Sequence, residues 1–211
     1  MRNTIQNTVQ NTIQNTNGQL HLDSSGGNPM TWLSFALMTT LLFGLVYPIL
    51  TTLLGQTLFP NQARGSLIER DGKTIGSGLI GQSFSGAKYF IGRPSNAGKG
   101  YDPTSASGSN LAASNPALRE RIAATAKDIA AREGMGSDQI PTDLLASSGS
   151  GLDPDISLAA AELQVARIAK ARGISEVTLR EAIRSQTEQP FLGVFGQARV
   201  NVLKLNAVLE K

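Results

Sequence analysis

Residues 32–59 read Trp32-Leu-Ser-Phe-Ala-Leu-Met-Thr-Thr-Leu-Leu-Phe-Gly-Leu-Val-Tyr-Pro-Ile-Leu-Thr-Thr-Leu-Leu-Gly-Gln-Thr-Leu-Phe59, 28 positions without a charge. Fourteen of them are Leu, Ile, Val or Phe. At about −0.5 kcal/mol each near the middle of a bilayer, these supply up to about −7 kcal/mol of insertion. That outweighs Thr39, Thr40, Thr51, Thr52 and Gln56, whose polar groups can bond back to the helix. A helix of this length is about 42 Å long, against a hydrocarbon core of about 30 Å. The stretch therefore predicts a transmembrane helix over residues 30–60, with Trp32 and Phe59 near the two interfaces. A cleaved signal peptide has an apolar region of about 7–15 residues and a basic start. Here the run is longer and Arg2 lies thirty positions before it. A buried helix of a soluble protein would show a charged face, and none exists.

Outward from the span, charge is distributed unevenly. Only Arg2 and Asp23 precede Arg64, and the other 18 basic and 15 acidic residues follow. This pattern predicts three parts: a polar tail over 1–29, the membrane helix over 30–60 and a soluble domain over 61–211. The tail repeats Asn3-Thr-Ile-Gln, Asn7-Thr-Val-Gln and Asn11-Thr-Ile-Gln, then runs into Ser24-Ser-Gly-Gly-Asn-Pro29. Asn and Thr are weak helix formers, so it reads as flexible and of low complexity.

Ala36, Thr40, Gly44, Pro48 and Thr52 recur every four residues within the span. Small residues at that spacing let a second helix approach closely, so they are the candidate partner-helix seam. Pro48 removes one helical hydrogen bond and predicts a kink. Orientation is open: Arg64, Arg70 and Lys73 favour a cytoplasmic C-terminal side, but long domains translocate largely regardless of charge.

The domain itself predicts an α+β fold, rich in helix with a small hairpin or sheet. Asp71-Gly72 between Ser66–Glu69 and Lys73–Ile75 signals a β-hairpin. Residues 92–114 lack any period and predict irregular backbone. Asn115 and Pro116 open a helix that Gly134 ends, with Leu118, Ile122, Ile129 and Ala130 inward and an Asp128–Arg132 pair outward. A second helix is expected from Ser157 to Gly173. A third is capped by Ser175, with Ile174 and Leu179 as its staple. The stretch Val200–Leu209 reads as a last helix whose first residues can instead be a strand.

Chemistry is sparse. Cys is absent and His21 is the single histidine, which excludes disulfides, thiolate sites and His-rich metal centres. No metal is expected. A net charge of +3 without clustering gives no support to nucleic acid as a partner. Gly92–Lys99 imitates a phosphate loop, but it has five residues between the glycines and Gly100 in place of Ser or Thr. Ser147-Ser-Gly-Ser-Gly151 feeds a helix start whose amides and dipole suit phosphate, although Asp153 and Asp155 lie at the same end. Gln164, two turns along, either reaches a ligand or faces solvent. Ser148, Ser150, Gly151 and Gln164 are therefore the nucleotide-binding candidates, and no catalytic set stands out.

Leu45-Val-Tyr-Pro48, Thr51–Gln56, Gly65–Ile68, Gly78–Phe84, Tyr89-Phe90 and Gly92–Ser95 follow one another in a familiar order. So do Ser107–Leu111, Ser114–Pro116, Ser148–Asp153, Gln189-Pro190, Gly196-Gln197, Val200–Val202 and Leu205-Asn206. This ordered set, over residues 32–210, resembles the C subunit of the Kdp potassium-pumping ATPase, the KdpC family. The resemblance implies a single-pass accessory subunit of the bacterial inner membrane, with its soluble domain outside the cytoplasm. Implied partners are an ATP-hydrolysing subunit, a channel-like potassium-binding subunit, a small stabilising subunit and the lipid bilayer. The family is described as a catalytic chaperone that raises ATP affinity, so ATP is the implied cofactor. ATP is cytosolic, however, and an external domain cannot touch it. The chain lacks the Asp-Lys-Thr-Gly-Thr phosphorylation motif, so hydrolysis belongs elsewhere. The competing expectations are a membrane-tethered envelope hydrolase and a tethered ligand-binding module.

Overall fold

A computed structural model describes residues 28–210 together with Gln6. The repeat tail predicted over 1–29 lies almost wholly outside the described residues. Two compact units divide at Leu58 and Phe59.

The first unit, Met1–Leu58, contains one continuous apolar helix, Pro29–Leu58, long and apolar enough to cross a membrane, with none of its apolar window buried. The helix comprises α1 (Pro29–Leu41), a π-helical turn at Leu42–Val46 and α2 (Tyr47–Leu58). Asn28 caps its start by accepting from the Met30 amide. The π turn falls just before Pro48, where the missing proline N–H breaks the regular ladder; the Tyr47 amide reaches back five residues to the Leu42 carbonyl. Thr39, Thr51 and Thr57 each donate to the carbonyl four residues earlier, at 2.9 Å. Their hydroxyls are thereby satisfied without water, as a lipid environment requires.

The second unit begins with α3 (Pro60–Ala63) and a hairpin, β1 (Leu67–Arg70) with β2 (Lys73–Ser77). Asp71 and Gly72 turn it at φ +50° and +71°. The register slips between Ile68 and Glu69, which is a bulge. Long irregular backbone follows to α4 (Pro116–Glu133), which Asn115 caps and Gly134 ends in the left-handed conformation. Next come α5 (Thr142–Leu145), β3 (Asp155–Ser157), α6 (Leu158–Leu163), α7 (Val165–Arg172) and α8 (Glu176–Gln186). The chain closes with β4 (Thr187–Glu188), β5 (Arg199–Asn201) and α9 (Val202–Val208). β5 is the middle strand of an antiparallel sheet ordered β3-β5-β4. Phe90, Ile129, Leu144, Ile156, Val165, Ile168, Leu179, Ile183, Val200 and Leu205 form the core.

The fold is the expected one: an apolar helix before a helix-rich domain with a hairpin and a small sheet. Several local expectations are corrected. The helix drawn from Ser157 to Gly173 breaks at Gln164, where the turn tightens and the Gln164 amide bonds to the Ala161 carbonyl at 3.1 Å. Arg132 pairs with Glu133 at 2.9 Å and not with Asp128, and the same Glu133 carboxylate is also bound by Arg167 at 2.9 Å. On α4 only Ile129 is fully buried. For Val200–Leu209 the expected strand alternative holds at its start: Val200 and Asn201 lie in β5, and Asn201 caps α9 through the Lys204 amide at 3.0 Å.

Candidate functional site

Two features carry the polar organisation of this chain, one in each unit. On the membrane helix, Ala36, Thr40, Gly44, Pro48 and Thr52 are all exposed. A Cβ added at Gly44 would meet only the Thr40 methyl, at 4.0 Å. The space there is open to whatever lies alongside, which is the condition for close approach of a second backbone.

In the soluble unit the polar groups point inward. Gln164 has no exposed surface. Its carbonyl oxygen accepts from the Ile91 amide at 2.8 Å and from Arg167 Nη2 at 2.9 Å. Its amide nitrogen donates to the carbonyls of Ile91 and Ala160, both at 3.1 Å. Gln164 therefore neither faces solvent nor keeps a free polar atom for a ligand. Arg167 continues the network: its Nε reaches both Glu133 oxygens at 2.9 and 3.0 Å, and its Nη1 donates to the carbonyls of Ala87 and Tyr89. Burial pulls the Arg167 guanidinium below its usual pKa, and the Glu133 carboxylate pulls it back up. Asn206 brackets Phe90 in the same manner, accepting from its amide and donating to its carbonyl, both at 2.9 Å. Asn201 donates to the Gly78 carbonyl at 2.8 Å. These side chains do for the irregular segment 78–93 what a neighbouring strand would do, since its backbone groups need partners once buried.

The serine-rich turn is equally committed. Ser148 is buried and Ser150 exposed. The Gly151 amide donates to the Ser148 carbonyl at 3.3 Å, the Leu152 amide to Ser150 Oγ at 3.1 Å and the Asp153 amide to Ser148 Oγ at 3.5 Å. Gly151 sits at φ +71°, and a Cβ there would stand 2.6 Å from the Ser107 carbonyl oxygen and 2.7 Å from the Ala97 nitrogen. The cradle a phosphate would need is filled by the neighbouring loop. Asp153 is also occupied: it accepts from Arg93 Nη1 at 2.7 Å and from the Asp155 amide at 3.0 Å. Thus Ser148, Ser150 and Gly151 share one tight turn, while the Gln164 side chain is spent on Ile91. The four do not fit a nucleotide phosphate. Tyr101 locks the adjoining loop by donating to the Arg93 carbonyl at 2.5 Å. Burial pushes its pKa up to about 12, with Asp153 adding to the rise and Arg93 opposing it.

No group of three or more His, Cys, Asp or Glu among the described residues is placed to hold a metal ion. Sequence reasoning missed Arg167, Glu133, Asn201 and Asn206. Their one legible signal was, for Asn206, a polar residue among the apolar positions of the last helix.

Fold and geometry together define a membrane-anchored module whose interior polar groups serve its own architecture. The family model described as KdpC: K+-transporting ATPase, c chain, matches residues 30–211. The chain is 54% identical over 168 residues to the potassium-transporting ATPase KdpC subunit of Shewanella putrefaciens, covering 80% of this chain and 83% of that relative. It is 48% identical over 177 residues to the KdpC subunit of Acidobacterium capsulatum, covering 84% and 94%. The Caulobacter vibrioides KdpC subunit is 50% identical over 173 residues, covering 81% and 86%. The chain belongs to the KdpC family.

Proposed function

We propose that this chain is the accessory, non-hydrolysing subunit of an ATP-driven potassium importer, and that it acts by assembling and stabilising the complex. The family match across residues 30–211 carries the reading. The apolar helix Pro29–Leu58 supports a single-pass anchor. The partners are an ATP-hydrolysing subunit, a channel-like potassium-binding subunit and a small stabilising subunit, held in part through the seam Ala36, Thr40, Gly44, Pro48 and Thr52. The site is the bacterial inner membrane, with the domain over 61–211 on the extracytoplasmic side.

Any effect on ATP affinity is then transmitted through the assembled complex. The engaged amides of Gly151, Leu152 and Asp153 and the filled valences of Gln164 support indirect action. The test is a mild-detergent pull-down of the tagged full chain with the co-purifying proteins identified by mass. Recovery of a P-type ATPase subunit and a potassium-channel-like subunit is the expected result. A chain recovered alone would overturn the proposal.

A further inference from the structure

Between β4 and β5 the chain runs Gln189-Pro-Phe-Leu-Gly-Val-Phe-Gly-Gln-Ala198, ten residues without a charge. Phe191 and Phe195 pair as an antiparallel bridge. Each donates its amide to the other's carbonyl, at 2.9 Å in both directions. Within the bridge, Gly193 donates to the Pro190 carbonyl at 2.9 Å and Val194 to the Phe191 carbonyl at 3.2 Å. Leu192 and Gly193 hold φ values of +53° and +73°. The result is a closed miniature hairpin. Its tip carries four large apolar side chains, with Phe191 71% exposed, Leu192 76%, Val194 75% and Phe195 66%. None of the four belongs to the core.

A turn of this left-handed kind, when it faces water, favours Asn, Asp or Gly at its first central position. Here that position is Leu192, which bears both a backbone cost and a hydration cost. A contiguous apolar tip of this sort marks a contact surface. We infer that the Phe191–Phe195 hairpin dips into the lipid surface on the side of the membrane that carries the soluble domain, as a second attachment beside the spanning helix.

Two observations favour lipid over a protein partner. The tip is highly exposed and uncharged, so it needs no complementary pocket, whereas a protein-binding anchor does. The bonds above leave the Leu192 amide and the Leu192, Gly193 and Val194 carbonyls open, so the tip rests at the hydrated headgroup boundary and not in the dry hydrocarbon core. Chain connectivity also keeps the domain close: nine residue steps separate Leu58 from Leu67, a reach of at most about 30 Å. A tethered group with a short leash meets the surface at high effective concentration. The charged residues flanking the tip are already paired with each other, Arg199 with Glu188 and Asp155 at 2.9 Å and Lys204 with Glu188 at 3.0 Å. Attachment is therefore apolar and does not depend on anionic lipid.

The inference rests on the spanning helix being in the bilayer, and the test reads that separately. The chain has no cysteine. Val194→Cys in the full-length chain accepts a single environment-sensitive fluorophore, with Leu192→Cys as a second reporter. Val177→Cys, on α8 and 63% exposed, serves as the reference. Each is reconstituted in phosphatidylcholine vesicles, with and without added phosphatidylglycerol, and flotation with the vesicles reports the anchor itself. For vesicle-bound protein, the expected result is quenching at 194 and 192 by lipid-borne nitroxides, at a depth about 5–10 Å below the headgroups, and the same in both lipid mixtures. Position 177 should respond only to aqueous iodide. Iodide quenching at 194 and 192 equal to that at 177, without lipid quenching, would overturn the inference. So would a tip that stays free of lipid quenching and becomes shielded from iodide only when the other complex subunits are added, which would assign it to a protein partner.

Discussion

Replacing Arg167 with Met tests whether the irregular segment is held by the buried network. The Arg167 and Glu133 side chains are 9% and 1% exposed. The substitution keeps much of the side chain's bulk, leaves the Glu133 carboxylate buried and strips donors from the carbonyls of Ala87 and Tyr89 and from the Gln164 oxygen. Removing one member of a buried ion pair costs about 3–5 kcal/mol. The Arg132 guanidinium still reaches Glu133, so the lower end, about 3 kcal/mol, is expected. For a chain of this size that corresponds to a fall of about 6–12 °C in Tm. The assay is calorimetric melting of the full chain in detergent, with hydrogen exchange read at the amides of Phe90 and Ile91. The double variant Arg167→Met with Glu133→Met should recover much of the loss, because no uncompensated charge remains. A shift in Tm of under about 2 °C for the single variant, with unchanged exchange at Phe90 and Ile91, would refute the reasoning. The segment would then be held by packing alone.

Other outcomes follow from the same geometry. Gly44→Leu fills the open space on the seam and should reduce co-purification of partner subunits, while Leu50→Ala, on another face of the helix, leaves it unchanged; equal recovery would remove the seam. Gly151→Ala forces a Cβ against the Ser107 carbonyl at φ +71°, and should destabilise the domain by at least about 2 kcal/mol in denaturant titration. Tyr101 has a folded pKa of about 12 against the ordinary 10.0. Its contribution is complete below pH 10 and is lost as pH rises toward 12, because the unfolded chain releases the phenolic proton first. Tyr101→Phe should flatten alkaline unfolding in that window and, by orphaning the Arg93 carbonyl, cost about 1–3 kcal/mol at neutral pH. Ser150→Ala, at an exposed hydroxyl, should leave the ATP dependence of potassium transport by the assembled complex unchanged; a raised ATP requirement would restore a direct nucleotide role for the serine turn.

Local signals in the sequence decided the ends of several helices. Asn115-Pro116 and Gly134 bounded α4, and Ser175 capped α8 through the Thr178 amide at 3.1 Å. These signals act within one turn of backbone, so neighbouring residues suffice to read them. Gln164 was misjudged because its position on a helix says nothing of what lies across from it. Its partner Ile91 is 73 residues away along the chain. Arg132 shares the Glu133 carboxylate with Arg167, on a helix remote in sequence.

The membrane helix was determined by sequence alone, since insertion into lipid depends on summed side-chain transfer energies and on length, not on a partner within the chain. The order of family motifs was likewise a property of the sequence. Tertiary structure decided which polar residues became internal braces, that the Gly- and Ser-rich stretch is pinned to the helical half, and that Phe191–Phe195 projects outward. Burial and hydrogen-bond partnership arise only when distant segments meet, and a buried polar group must take whatever donor or acceptor the fold brings to it.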